Sequence, residues 1–156
     1  MKILGKGGIA VVWLGRVDDQ LYAMKQFPKQ GTKVDPSAFV ELQIQQLIRQ
    51  HADSEETENI CMLVDSVDDK KDLWLIYELC PGKTMNEHLF DVKGEFYKGE
   101  RIYMVHHSTF YHCLRNNMDL LRDFLYRMGC ALSLFARLSI VHADLKPDNI
   151  LIDYDE

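Results

Sequence analysis

The sequence predicts an α+β fold: a β-rich region carrying one helix, followed by the beginning of a helical region. Three observations predict it. Two pairs of β-rich runs flank one strong helix start before Cys80, a Pro81-Gly82 step then interrupts the chain, and from Met118 onward apolar residues recur at helical spacing.

The elements follow in order. Lys2 to Leu4 reads as the end of a strand, which "GKGG" interrupts and "IAVVWLG" resumes. Two β-rich runs around a Gly-rich turn predict a hairpin. "LYAMKQF", Leu21 to Phe27, is a further short strand. Asp35-Pro36 predicts a helix start, the aspartate as N-cap and the proline at the first helical position. That helix is expected to reach about Gln50, with Phe39, Val40, Leu42, Ile44, Leu47 and Ile48 as a broad apolar face. Asp53 to Asn59 is acidic and reads as a solvated loop. "ICMLVDSV" and "DLWLIYEL", split by "DDKK", form a second hairpin. Thr84 to Leu89 reads as a short helix, and Asp91 to Asn117, polar, aromatic and poorly periodic, as a long excursion. In the last helix Leu121, Leu125, Met128, Leu132 and Phe135 are spaced to share one face.

Composition narrows the function classes. The 156 residues are one domain's worth, and 47% apolar with 27% charged residues is ordinary for a soluble globular protein. A net charge of −6 argues against a surface devoted to nucleic acid. The longest apolar runs, such as Ile9 to Leu14, are too short to span a bilayer, and Gly5, Lys6, Gly7 and Gly8 interrupt any leader-like stretch. Cys61, Cys80, Cys113 and Cys130 form no C-x-x-C pair, so reduced thiols in a cytoplasmic or nuclear protein are expected. Neither a nucleic-acid nor a membrane partner is expected, and the oligomeric state is left open. His106, His107, His112 and Cys113 cluster without the spacing of a closed zinc site.

The chemistry concentrates in "IVHADLKPDNILID", Ile140 to Asp153. Asp144, Lys146 and Asn149 suit phosphoryl transfer, which needs positioning and charge neutralisation more than covalent help. A carboxylate accepts or orients the proton of an attacking hydroxyl, an ammonium offsets charge on the moving group, and an amide oxygen can hold Mg²⁺. Upstream, Gly5 and Gly7 allow backbone amides to approach phosphates with no Cβ in the way. Lys25 lies on a strand after Tyr22-Ala23-Met24, and Glu41, mid-helix, can turn inward to pair with it.

In these motifs the sequence resembles the eukaryotic protein kinases. "GKGGIAVV" is similar to their nucleotide-binding loop, with Ala10 in place of the third glycine, and "YAMK" to the strand that carries the ATP lysine, here Lys25. Glu41 matches the helix glutamate. "LIYELCPG" is similar to the linker between lobes, which implies Tyr77 as gatekeeper and backbone groups of Glu78 and Cys80 as adenine contacts. Val12, Ala23 and Leu151 would complete the adenine pocket, Leu151 as its floor. "HADLKPDN" is similar to the catalytic loop, with Asp144 as base, Lys146 at the γ-phosphate as in serine/threonine kinases, and Asn149 on the metal. His142 would buttress that loop. The resemblance implies a kinase-like fold, with residues 1–80 as N-lobe and hinge and 81–156 as the start of the C-lobe through the catalytic loop. It also implies ATP and Mg²⁺ as ligands and a protein substrate.

Two departures from the family pattern carry expectations. Ala143 stands where most kinases have an arginine that meets an activation-loop phosphate, so no such contact is expected. H-A-D, "VVWL" and "AMK" also resemble the branch of the SR-protein, splicing-related and homeodomain-interacting kinases. Gln45, four residues after Glu41, falls where an apolar residue is usual, and its polarity predicts a looser active arrangement. The sequence ends at Glu156 before any D-F-G motif, so it reads as a catalytic-domain fragment of an ATP-dependent serine/threonine kinase, inactive by itself. The competing reading is a non-catalytic kinase-like fragment that acts as a binding or regulatory module.

Overall fold

A computed structural model describes residues 2–154. The chain forms two compact units: residues up to Cys80 together with Cys130–Ile140, and Pro81–Gly129 together with the segment from Val141 on.

In the first unit, β1 (Lys2–Lys6), β2 (Val11–Val17), β3 (Gln20–Pro28), β4 (Leu63–Asp68) and β5 (Asp72–Glu78) form an antiparallel sheet of order β1-β2-β3-β5-β4. Both expected hairpins are present, with β1 running two residues further than the sequence suggests. Register decides what the sheet offers. Ala23, Lys25 and Phe27 lie opposite Tyr77, Leu75 and Leu73, and Val12 lies opposite Lys25. Side chains alternate along a strand, so these residues share one face. Ala10, just before β2, and Phe27, Leu63, Leu73 and Leu75 on the strands pack with Ala38 of α1 (Pro36–His51) into one core, and Leu42 and Tyr77 pack against it. Burying each large side chain here contributes about 1.5–3 kcal/mol.

Helix α1 starts as expected. The Asp35 side chain accepts from Ser37 N at 2.9 Å and from Ser37 Oγ at 2.6 Å, and these bonds hold its carboxyl below the usual carboxylate range. The apolar face is narrower than expected, because Phe39 and Val40 are 47% and 53% exposed. A helix laid on a sheet covers one stripe, and here that stripe runs through Ala38, Glu41, Leu42, Gln45 and Ile48.

The acidic run is not a plain loop. Ser54–Thr57 forms a short helix, α2, closed by a capping box between Asp53 and Glu56, a D-x-x-E pattern visible in the sequence. Glu56 Oε1 also accepts from Arg137 Nη2 at 2.5 Å, and Arg137 donates to the His51 carbonyl.

The second unit opens with β6 (Lys83–Thr84) and α3 (Met85–Leu89), whose capping box joins Thr84 and Glu87. The excursion is a correction. It consists of a hairpin, β7 (Phe90–Tyr97) with β8 (Glu100–His107), followed by α4 (Thr109–Asn116). Lys98 and Gly99, at φ +50° and +84°, make the two-residue turn; both central residues of a type I′ turn require positive φ. Val92, Phe96, Tyr103 and Val105 lie on one face of the ladder, and all are 60% exposed or more. Ser108 caps α4 by accepting from Tyr111 N, and His107 stacks on Tyr111 with centroids 3.8 Å apart. Among the described residues no group of three His, Cys, Asp or Glu side chains is placed to hold a metal ion.

Helix α5 (Met118–Arg137) has its start in the second unit and its last turns in the first. Two residues of the expected stripe, Leu125 and Leu132, are 59% and 40% exposed. Coverage passes one position earlier, through Phe124 and Ala131, and continues to Leu134, which is 3% exposed. Where two apolar residues are adjacent, as in Phe124-Leu125 and Ala131-Leu132, the helical period alone does not choose between them. Among the described residues no helix is long and apolar enough to cross a membrane.

The second unit closes with a 3-10 turn (Pro147–Asn149) and β9 (Leu151–Ile152), which pairs with β6. A Cβ at Gly82 would run into the backbone of Ile152 and Asp153. Gly82→Ala is therefore expected to spread the β6–β9 pair and cost about 1–3 kcal/mol, since neither partner is a flexible side chain. The check is a melting curve together with faster amide exchange at Met85, whose N–H donates to the Ile150 carbonyl at 2.7 Å.

Candidate active site

In the first unit, three side chains from three elements meet. Lys25 on β3 and Tyr77 on β5 lie on the same sheet face, and Glu41 comes from the covered stripe of α1. Lys25 Nζ donates to Glu41 Oε1 at 2.8 Å and to Oε2 at 2.6 Å. The Tyr77 hydroxyl donates to Oε1 at 2.6 Å. Burial, then the Glu41 charge, pushes the Tyr77 phenol far up, so it stays a protonated donor. The two ends of the Lys25–Glu41 pair keep 29% and 30% of their surface, so the ammonium is held yet reachable. Its Nζ also lies 5.1 Å from the centroid of Phe27.

The glycine turn belongs to the same unit. Gly5 pairs with Val12, one position before Lys6 ends the β1 ladder opposite Val11, and Gly7 N donates to the Ala10 carbonyl at 2.9 Å. A Cβ at Gly5 or Gly8 would meet nothing, and none of Gly5, Gly7 and Gly8 has a positive φ. Neither backbone conformation nor crowding within the chain requires glycine at Gly5 and Gly8. The open space above the turn suits the close approach of an anion to the backbone. Ala10 is 7% exposed and part of the core. Val12 faces Lys25 across the ladder, and Ala23 faces Tyr77. Glu78 N donates to the Met62 carbonyl at 3.1 Å. Cys80 is half-buried at the end of this stretch.

In the second unit the stretch from His142 to Asn149 folds on itself. Asp144 N donates to the His142 carbonyl at 2.8 Å, a pinch centred on Ala143 at φ +61°. An alanine in the left-handed region costs about 1–2 kcal/mol, and such strain is held where the surroundings over-determine it. Asn149 Nδ2 donates to the Asp144 carbonyl at 2.8 Å and to Asp144 Oδ2 at 2.9 Å. Lys146 Nζ lies 3.0 Å from the same Oδ2. The Lys146 hydrogen bond, then that of Asn149, holds the Asp144 carboxyl below its usual range. Both amide hydrogen bonds of Asn149 use its nitrogen, so its carbonyl oxygen is the group offered to a cation. An amide oxygen is a hard donor of the kind Mg²⁺ takes, so Asn149 fits a contact to that ion. The loop is anchored by the β6–β9 pair and by His88 Nε2, 3.0 Å from the Ile152 carbonyl. Leu151 lies on β9 and is 44% exposed.

The expected loosening by Gln45 is corrected. Gln45 Nε2 donates to the Cys61 carbonyl at 3.2 Å, and its Oε1 accepts from Leu63 N at 2.9 Å. One turn further along, Arg49 Nη2 donates to the carbonyls of Leu63 and Val64. The amide therefore ties α1 to the chain entering β4, where an apolar side chain would only pack. Sequence reasoning missed this stitch and the Tyr77 hydroxyl bond. The available signal was the polar spacing Glu41, Gln45, Arg49, which puts three hydrogen-bonding groups on one helix face.

The family model of the protein kinase domain matches residues 1–156. The chain belongs to the protein kinase family. Its architecture agrees, the five-stranded sheet with α1 being that of the family's N-lobe. Among curated relatives, this kinase is 28% identical over 155 residues to the Receptor protein kinase WSS1 of Oryza sativa subsp. japonica, covering 98% of the chain and 15% of that protein. It is 30% identical over 97 residues to the mouse Sperm motility kinase 2A, covering 62% and 15%. It is 27% identical over 158 residues to the human Hormonally up-regulated neu tumor-associated kinase, covering 97% and 18%. The kinase chain thus spans less than a fifth of the length of these relatives. Their names give no support to a place in the SR-protein and homeodomain-interacting branch.

Proposed function

We propose that this protein is an ATP-dependent serine/threonine kinase, with residues 1–80 as N-lobe and hinge and 81–156 as the start of the C-lobe through the catalytic loop. The observation that carries the reading is the Asp144–Lys146–Asn149 cluster, three groups on one oxygen-rich loop. Lys25 holds ATP phosphates, and Glu41 keeps its ammonium in place. The turn at Gly5 and Gly7 covers the phosphates with backbone amides. Glu78 and Cys80 bind the adenine edge, and Ala10, Val12, Ala23 and Tyr77 line its side of the pocket. Asp144 orients the acceptor hydroxyl and takes its proton as that oxygen bonds to the γ-phosphorus of ATP, while the bond from the γ-phosphorus to the β,γ-bridging oxygen breaks and ADP leaves. Lys146 offsets charge on the transferred group, and its place in the loop resembles that in serine/threonine kinases. Mg²⁺, held through the Asn149 amide oxygen, would neutralise phosphate charge. The test is transfer of labelled phosphate from ATP by the full-length protein to peptide mixtures that offer serine, threonine or tyrosine alone. Label on serine or threonine peptides supports the reading; label on tyrosine alone, or on none, defeats it.

A further inference from the structure

We propose that Tyr77 is a positioning residue whose hydroxyl clamps Glu41, so that the Lys25–Glu41 pair is assembled by the first unit's own hydrogen bonds. The inference rests on the reading of Lys25 as the phosphate-binding lysine. Glu41 Oε1 accepts from both Lys25 Nζ and the Tyr77 hydroxyl, at 2.8 and 2.6 Å. A carboxylate paired with lysine alone, even through both oxygens, can pivot about that single nitrogen. A second donor from β5, one strand over, fixes its direction as well as its distance. The Tyr77 ring is itself seated against the core, so the clamp stands on rigid packing. Along α1 the same face continues through Gln45 and Arg49, both bonded to backbone entering or within β4. The helix is therefore held to the sheet at three successive turns.

Two substitutions separate the hydroxyl from the ring in the full-length protein. Tyr77→Phe removes the hydroxyl and keeps the packing; Tyr77→Leu removes both. The readouts are kcat, KM for ATP, and amide exchange across α1 relative to that of β5. For Tyr77→Phe, kcat is expected to fall about tenfold with KM for ATP within about twofold, the size of one charge-assisted hydrogen bond felt mainly in the transition state. Exchange at Glu41 to Ile48 should accelerate about tenfold while that at Leu75 is unchanged, the pattern of local opening. Equal exchange in Tyr77→Phe and the unsubstituted protein, with faster exchange only in Tyr77→Leu, would overturn the clamp and leave ring packing. If no phosphoryl transfer is found at all, the kinase reading fails, and α1 exchange still decides the clamp by itself.

Discussion

Replacing Lys25 with methionine is expected to lower phosphoryl transfer by at least about a hundredfold, the usual consequence of removing a preorganised charge from a phosphoryl-transfer site. The side chains are similar in length, so the change removes charge while disturbing packing little. Glu41 loses its two bonds from Lys25 and keeps that from Tyr77, and it is still 30% exposed to water. The fold should therefore survive, with a melting temperature within a few degrees of the unsubstituted protein. That separation matters, because a variant that merely unfolds would lose activity for an uninformative reason. The measurement is single-turnover transfer from labelled ATP by the full-length protein, beside a melt. Activity above about a tenth of the unsubstituted level would show that Lys25 does not bind the reacting phosphates.

Much of this site was legible because its parts are local. Asp35-Pro36 announces a helix start through a cap and a fixed φ, both properties of two adjacent residues. Lys25 and Glu41 meet as expected, since a strand and the helix that covers it leave few ways to arrange them. Asp144, Lys146 and Asn149 lie within one short loop, and their meeting needs no distant element. What escaped is what depends on partners far along the chain. Gln45 looks like a fault in an apolar stripe until the backbone of Cys61 and Leu63 is placed beside it. Phe39 and Val40 are apolar without being covered, and which face a helix turns to its sheet is set by the sheet. The β7–β8 hairpin was hidden for a different reason. Its turn is Lys98-Gly99, not one of the strong Asn-Gly or Asp-Gly signals, and its alternation is blurred by Gly94 and by charges on both strands.

Asp144→Asn should cripple turnover while sparing nucleotide binding, with kcat down about a thousandfold, within the range for loss of a general base. The substitution keeps the shape of the side chain and one acceptor oxygen. Asn149 Nδ2 retains its bond to the backbone carbonyl at position 144, so the loop should hold its conformation. What goes is the negative charge that Lys146 approaches at 3.0 Å and the site that takes the acceptor's proton. The affinity for ATP, measured by equilibrium binding, should stay within about threefold, because the proposed nucleotide contacts belong to other residues. The pH dependence gives a second handle. Hydrogen bonds from Lys146 and Asn149 hold the Asp144 carboxyl below the ordinary carboxylate range. A lowered value means that the base form persists as pH falls through that range and is lost only beneath it. The acid limb contributed by Asp144 should therefore lie below the pH at which a free aspartate titrates, and removing the Lys146 donor with Lys146→Met should move it upward. Turnover in Asp144→Asn above about a tenth of the unsubstituted rate, or an acid limb that ignores Lys146, would take the role of base away from this carboxylate.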